Sequence, residues 1–269
     1  MSGHATGTTV LKLGGSVVTE KRTRETVDEA SLTAAVGAIA AATVAAAGTD
    51  TSAAATDGID DDPERLVLVH GGGSFGHPAA SEHGISSEAG SRDAGAARAV
   101  HGAMGRLNGR VVDALADRGV PAFPVHPLSL AHRDREGDLA LPAAQVATML
   151  DEGFVPVLHG DVLAHAGRGV TVMSGDTLAV ALAERLDAGR VGLCTGVSGV
   201  LDADGRVVER IDSFERVADS LSGSDATDVT GGMAGKVRAL LALDAPASVF
   251  GLDDLEDFLA GGSPGTRIG

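Results

Sequence analysis

Short apolar runs rich in β-branched residues alternate along the chain with longer segments in which Ala and Leu recur at helical spacing. The short runs predict buried strands, because a strand covered on both faces is apolar at nearly every position. Regular alternation of strands and helices predicts an α/β fold, here a three-layer αβα sandwich with a mainly parallel central sheet. We expect strands at 9–15, 65–71, 120–125, 154–161, 169–176, 190–197 and 247–251, and helices at 27–47, 92–118, 142–152, 176–187 and 231–243.

The length and composition fit one globular unit. With 269 residues and 43% apolar composition, the chain can bury a full core, and we interpret residues 1–269 as a single domain. The segment 48–64 is acidic and low in complexity, so we expect a solvated surface loop there.

Glycine clusters follow several of the expected strands. They lie at Gly14–Gly15, Gly71–Gly73, Gly160, Gly175 and Gly231–Gly232. Ligands of open α/β sheets bind at the carboxyl ends of the strands, so these clusters predict one composite site.

The first cluster belongs to the segment KLGGS, in which Lys12 precedes Gly14, Gly15 and Ser16. Glycine lets backbone N–H groups approach an anion closely, and Lys12 could add an ammonium at the same place. An ordinary strand-end turn has the same pattern, so this segment alone is weak evidence.

The second cluster lies in HGGGSFGH, residues 70–77, and formally satisfies GxGxxG. A dinucleotide-binding turn needs a helix opening after it. Because Pro78 and a polar run follow, we instead favour a glycine nest that binds phosphate, with His77 directed into it.

Two further segments carry charged residues beside turns. In DVTGGMAGK a Gly-Gly turn opens a helix with Lys236 in its first turns, which suits polyphosphate, although the spacing fails the Walker pattern. In SGD, Asp176 stands between a strand and a helix. It could be a helix N-cap, a carboxylate that positions lysines between phosphates, or both.

The charge balance bears on partners and habitat. With 21 basic and 37 acidic residues, the net charge of −16 argues against binding to nucleic acid or to an anionic membrane, so we expect small-molecule partners. An acid-rich chain is typical of salt-loving microbes, and a high-GC genome that replaces Lys by Arg is the alternative. The only lysines are Lys12, Lys21 and Lys236.

Other residues suggest little chemistry. We expect the single cysteine, Cys194, to be a core residue, and a cytoplasmic location, since the chain has no long apolar run. Histidines without metal-binding spacing are expected to be structural or surface residues; they are His70, His101, His126, His132, His159 and His165.

The chain resembles the amino acid kinase family in four motifs, which follow one another in the same order as in that family. They are KLGGS with Lys21 downstream, HGGGSFGH, SGD and DVTGGMAGK. The resemblance implies an αβα sandwich, an acceptor-binding N-terminal part, an ATP-binding C-terminal part over about 170–269, ATP and Mg²⁺ as cofactors, and a homodimer. The reaction it implies is phosphorylation of isopentenyl phosphate to the diphosphate in the archaeal mevalonate pathway.

Residues that match the family's motifs take their expected roles from the resemblance. The expected ATP-binding residues are Lys12, Leu13, Gly14, Gly15, Ser16, Gly73, Thr195, Gly196, Gly232 and Lys236. The expected acceptor-binding residues are Gly72, His77 and Gly175. The expected catalytic residues are His77, Lys12, Lys21, Asp176 and Lys236. Asp176 is expected to organise Lys12 and Lys236. No side chain is expected to ligate a metal.

One segment departs from the family. TGVSGV, residues 195–200, has Gly196 and Ser198 where relatives often carry acidic residues. Two alternatives also remain open: a kinase of the same family for another phosphate or phosphonate, as in fosfomycin kinases, and a non-catalytic nucleotide-binding protein. A phosphomonoester acceptor needs no dedicated base, because its second pKa is near 6.

Overall fold

The structure is a computed structural model that describes residues 7–48, 65–218 and 232–269. These residues form strands β1 (Thr8–Leu13), β2 (Arg65–His70), β3 (Ala122–Pro124), β4 (His132–Arg133), β5 (Leu139–Ala140), β6 (Val155–His159), β7 (Asp161–His165), β8 (Gly169–Met173), β9 (Arg190–Thr195), β10 (Arg210–Ile211), β11 (Ala247–Gly251) and β12 (Thr266–Ile268).

The helices are α1 (Gly15–Val18), α2 (Glu29–Gly48), α3 (Gly73–Glu82), α4 (Ala94–Ala116), α5 (Pro127–Leu130), α6 (Ala144–Asp151), α7 (Gly175–Arg185), α8 (Gly232–Leu241) and α9 (Leu255–Leu259), with 3₁₀ turns at Phe214–Arg216 and Leu252–Asp254. Within the described ranges, no helix has the length and apolar character needed to cross a membrane.

The main sheet has eight strands in the order β10-β12-β11-β9-β1-β2-β6-β3. Neighbouring strands of this sheet are parallel, except that β11 and β12 are antiparallel. β1 lies in the middle between β2 and β9, and all six of its residues are buried. This burial explains its nearly continuous apolar sequence.

Helices cover both faces of this sheet. Leu11 and Leu13 of β1 join a core formed with α2, α3, α4 and α9. Val10, which points to the other face, joins a second core with α6, α7 and α8. The expected αβα sandwich with a mainly parallel sheet is therefore confirmed.

A second sheet, absent from our expectation, has four strands in the order β5-β4-β7-β8. The expected strand at 169–176 forms β8 of this smaller sheet, where it pairs antiparallel with β7. The expectation that it belongs to the main sheet is wrong. Four of the five residues of β7 are buried, as in a central strand, whereas only two of the five residues of β8 are. The apolar sequence of β8 does not by itself reveal which sheet it joins.

Most other expected elements exist with bounds shifted by a few residues, and the short strands β4, β5, β7, β10 and β12 were missed. Helix α3 was also missed, because Pro78 lies inside it. Pro78 cannot donate to the Ser74 carbonyl one turn earlier. That carbonyl instead accepts from Glu25 N–H at 3.0 Å, which explains why the helix tolerates proline. The expected loop at 48–64 falls, after Gly48, outside the described residues.

The first two glycine loops touch backbone to backbone. A Cβ atom on Gly71 would lie 2.7 Å from the nitrogen of Gly15, and one on Gly15 would lie inside van der Waals contact of the nitrogen of Gly73. Gly73 also has a φ of +46°, which disfavours other residues. Only glycine therefore allows the ends of β1 and β2 to approach this closely.

We expect Gly15→Ala to destabilise the fold by about 2 kcal/mol, because the backbone of the second loop must move to admit the methyl group. Gly109→Ala on α4 is the matched control, since nothing lies within 4 Å of its Cβ position, and alanine there should be neutral or stabilising. Urea unfolding of both variants measures the difference. Equal free energies of unfolding for the two variants would contradict the close contact.

Candidate active site

A cleft of about 660 Å³ lies where the carboxyl ends of β1, β2, β6 and β8 come together. Its walls include most of the residues singled out from the sequence: Lys12, Gly14, Gly15, Ser16, Lys21, Gly72, Gly73, His77, Gly175, Asp176, Thr195 and Lys236. Four of the five glycine clusters, at Gly14–Gly15, Gly71–Gly73, Gly160 and Gly175, therefore do line one composite cavity.

Three predicted residues do not line this cleft. The side chain of Leu13 is fully buried in the core, and its carbonyl accepts from Gly71 N–H at 3.0 Å. Gly232 is buried at the start of α8, and its neighbour Gly231 lies outside the described residues. Gly196 lies at the edge, where a Cβ would be 3.4 Å from Ser16 Oγ and 3.9 Å from Lys21 Nζ.

Two lysines converge on one carboxylate at the floor of the cleft. Lys12 Nζ lies 2.9 Å from one oxygen of Asp176, and Lys236 Nζ lies 3.6 Å from the other. Lys12 is only 5% exposed. Burying an ammonium is costly unless an opposite charge accompanies it, so Asp176 makes the position of Lys12 possible.

Local structure explains how Asp176 reaches the lysines. Asp176 is not the N-cap of α7; the cap is Ser174, whose hydroxyl accepts from Thr177 N–H at 3.1 Å. Asp176 follows in the first turn of the helix, where the helix dipole also favours a negative charge. The N-cap interpretation of Asp176 is therefore wrong, and its carboxylate contacts lysines instead.

A threonine that no sequence motif singled out joins the first two glycine loops. Thr19 Oγ donates to the carbonyl of Gly15 at 2.7 Å and accepts from Ser74 N–H at 3.0 Å. The second bond satisfies an N–H in the first turn of α3, whose N-terminus faces the cleft. Thr19 and Ser74 both line the cavity.

One wall of the cleft is apolar. Val100 and Met104 of α4 are each 2% exposed, and they line the cleft together with Val172 and Met173. His77 of α3 lies beside this wall, with its ring 3.4 Å from the position that a Cβ on Gly72 would take. A phosphate held by His77 and Gly72 would thus carry its organic group against apolar side chains.

Buried histidines lie behind the cleft. Burial lowers the pKa of His70 to about 4 and that of His159 to about 3, so both are neutral near pH 7. Asp161 lines the cleft, and its carboxylate accepts from His101 Nδ1 at 2.8 Å. Burial raises the pKa of Asp161, and the neighbouring His101 opposes that effect.

Cys194 is fully buried in β9, as expected. Burial raises the pKa of its thiol to about 12, so it stays protonated and has little nucleophilic reactivity. Across residues 7–48, 65–218 and 232–269, no three His, Cys, Asp or Glu side chains group in a way that could hold a metal ion.

We expect Asp176→Asn to lower phosphoryl transfer by about 10²-fold or more, because two ammonium groups lose the charge that positions them. The loss of the buried counter-charge should also destabilise the fold by about 3 kcal/mol. Turnover and thermal unfolding measure the two effects.

Asp151→Asn is the matched control, because Asp151 also pairs at short distance, 2.7 Å from Arg65, but is 61% exposed. It should cost less than about 1 kcal/mol and leave turnover unchanged. Equal effects of the two substitutions would contradict the role given to Asp176.

Comparisons with known proteins show which family the chain belongs to. A model of the amino acid kinase family matches residues 7–243. The chain is 59% identical over 259 residues to isopentenyl phosphate kinase of Haloferax volcanii, covering 96% of this chain and 97% of that protein. It is 36% identical over 252 residues to isopentenyl phosphate kinase of Methanothermobacter thermautotrophicus, covering 87% and 86%.

Among solved structures, an X-ray structure of isopentenyl phosphate kinase superposes with a TM-score of 0.76 at 29% identity, covering 97% of this chain and 100% of that one. UMP kinase from Ureaplasma parvum superposes with a TM-score of 0.62 at 14% identity, covering 97% and 95%, and so shares the fold. The chain belongs to the amino acid kinase family.

Proposed function

We propose that this protein is an isopentenyl phosphate kinase, which transfers the γ-phosphoryl group of ATP to isopentenyl phosphate. The observation that carries the proposal is the apolar wall of Val100 and Met104 beside His77 and Gly72, in the same cleft as the paired lysines. A phosphate next to a hydrocarbon group fits this arrangement. The 59% identity to the Haloferax volcanii enzyme supports the same acceptor.

The three lysines have different roles in phosphoryl transfer. Lys12 and Lys236, held by Asp176, bind the phosphates of ATP together with Gly14, Gly15 and Ser16, and Lys21 neutralises charge on the transferred group. Transfer through a loose transition state depends on positioning and charge neutralisation rather than on covalent help. His77 and Gly72 hold the acceptor phosphate.

The carboxylates that line the cleft are engaged with cations or histidine, which supports an acceptor that needs no base. Among the described lining residues these are Asp176, which contacts two lysines, and Asp161, which contacts His101. An alcohol acceptor must lose a proton, whereas a phosphomonoester is already mostly dianionic at neutral pH. Phosphate is therefore the better acceptor for this site.

Mg²⁺ fits this site as part of Mg-ATP. The carboxylate of Asp176 already contacts two lysines. Phosphate oxygens and water would therefore supply most of the ligands of Mg²⁺, as is usual for the nucleotide-bound ion. When bound, the ion neutralises phosphate charge.

We also propose that the reaction takes place in the cytoplasm, since ATP is its donor.

We propose that two copies associate through the β3 edge of the main sheet. Phe123 of β3 and Phe154 are 43% and 41% exposed, and their ring centroids are 5.5 Å apart. An exposed aromatic pair beside an unpaired strand edge is typical of an interface.

An acceptor panel tests the function. With Mg-ATP at high KCl, kcat/KM for isopentenyl phosphate should exceed that for UMP, fosfomycin or N-acetylglutamate by about 10²-fold. The reason is that only isopentenyl phosphate has a hydrocarbon group that packs along the apolar wall of Val100 and Met104. Labelled ATP gives the rates, and Lys236→Met, which should lack activity with every acceptor, excludes a contaminating kinase. Preference for UMP or fosfomycin would refute the proposal, and ATP binding without turnover of any acceptor would favour a non-catalytic nucleotide-binding protein.

The oligomer is tested by light scattering. We expect a species of twice the 26.8 kDa chain mass, and its conversion to monomer in the double variant Phe123→Ser, Phe154→Ser. Val44→Ser, which changes a 63% exposed residue of α2, is the control and should stay dimeric. A wild-type monomer, or a double variant that stays dimeric, would contradict the β3 interface.

A further inference from the structure

Two parallel strands end in the same dipeptide behind the cleft. β2 ends in His70 followed by Gly71, β6 ends in His159 followed by Gly160, and the two histidines are paired in register. Their rings stack with centroids 5.6 Å apart, and both side chains are fully buried. The glycines, in contrast, line the cleft.

Each histidine contacts the carbonyl of the glycine that follows it. The distance from His70 Nδ1 to the Gly71 oxygen is 3.1 Å, and that from His159 Nδ1 to the Gly160 oxygen is 2.9 Å. A carbonyl oxygen can only accept, so Nδ1 must carry the proton in both rings. Since both rings are neutral, Nε2 is then an acceptor.

The partners of Nε2 agree with this tautomer. His126 Nδ1 lies 3.0 Å from His159 Nε2 and donates to it. The side-chain amide of Asn108 lies 3.1 Å from His70 Nε2, placed with its oxygen toward the ring, and its nitrogen then has no partner among the described residues. Turning that amide by half a turn points its nitrogen at His70 Nε2 and gives that ring atom a donor.

The hydrogen bond from His70 Nδ1 to the Gly71 carbonyl sets the orientation of the Gly71–Gly72 peptide. The Gly71–Gly72 peptide is trans, so the N–H of Gly72 points away from the Gly71 carbonyl and therefore away from His70. Gly72 lines the cleft, and its N–H has no hydrogen-bond partner among the described residues. Three consecutive glycines would otherwise allow this peptide to rotate easily.

We propose that His70 is a positioning residue, which holds the Gly71–Gly72 peptide so that Gly72 N–H points at the acceptor phosphate. The inference rests on the proposed function, which places that phosphate beside His77. His159 holds the Gly160–Asp161 peptide on the neighbouring strand in the same way.

Two substitutions separate the contacts of His70. The side-chain nitrogen of asparagine matches the position of histidine Nδ1, and that of glutamine matches Nε2. His70→Asn therefore keeps a donor for the Gly71 carbonyl, whereas His70→Gln keeps the contact with Asn108 and loses that donor. Both bury an amide in place of a ring, so both should lower the melting temperature to a similar degree.

The kinetic test is the KM for each substrate. We expect His70→Gln to raise the KM for isopentenyl phosphate about tenfold or more, as for loss of one oriented N–H donor, and to leave the KM for ATP within about twofold. His70→Asn should keep the acceptor KM within about threefold of wild type. Equal acceptor KM values in the two variants, or parallel rises for acceptor and ATP, would overturn the proposal.

Two NMR readouts on the wild-type protein need neither folding of a variant nor turnover. ¹⁵N spectra should show His70 protonated at Nδ1, and the Gly72 amide proton should move downfield on addition of isopentenyl phosphate alone. Protonation at Nε2, or an unmoved Gly72 amide while the phosphate binds, would overturn the proposal. If isopentenyl phosphate binds without being phosphorylated, the proposed function fails while these readouts still decide the role of His70.

Discussion

The contact between Lys12 and Asp176 determines how this cleft is built. An ammonium that is 5% exposed at the end of the central strand requires a counter-charge, and Asp176 provides it from the first turn of α7 at 2.9 Å. The same carboxylate reaches Lys236 of α8 at 3.6 Å. One ionic cluster thus joins segments more than 200 positions apart in the chain and places two cations where we propose that the phosphates of ATP bind.

This cluster is a local exception in a strongly acidic protein. The chain has a net charge of −16, yet Lys12, Lys21 and Lys236, its only lysines, all line the cleft. Elsewhere arginine serves in surface ion pairs, such as Arg65 with Asp151. A compact ammonium fits between phosphate groups in a way that a planar guanidinium does not, which gives a physical reason for lysine at these places. High salt would screen repulsion among the remaining carboxylates.

The convergence of Lys12, Asp176 and Lys236 was expected from the resemblance to the amino acid kinase family. Sequence patterns predicted the sandwich and the composite site of glycine clusters, because buried strands and strand-end glycines have strong local signals. They did not predict α3, since the Ser74 carbonyl that Pro78 leaves without its helical donor is satisfied by Glu25, a residue from another segment. Neither the position of β8 in the second sheet nor the bridge made by Thr19 has a local signal. His70 and His159 became informative only once β2 and β6 were seen to pair in register.

The most direct test of this account is a crystal structure with isopentenyl phosphate and a non-hydrolysable ATP analogue, grown at high salt. We expect the acceptor phosphate to lie within hydrogen-bond distance, about 3 Å, of His77 and of Gly72 N–H. We also expect the γ-phosphate to lie among Lys12, Lys21 and Lys236, and the isopentenyl group to pack against Val100 and Met104. An acceptor phosphate bound away from His77, or an ATP γ-phosphate without contact to these lysines, would contradict it.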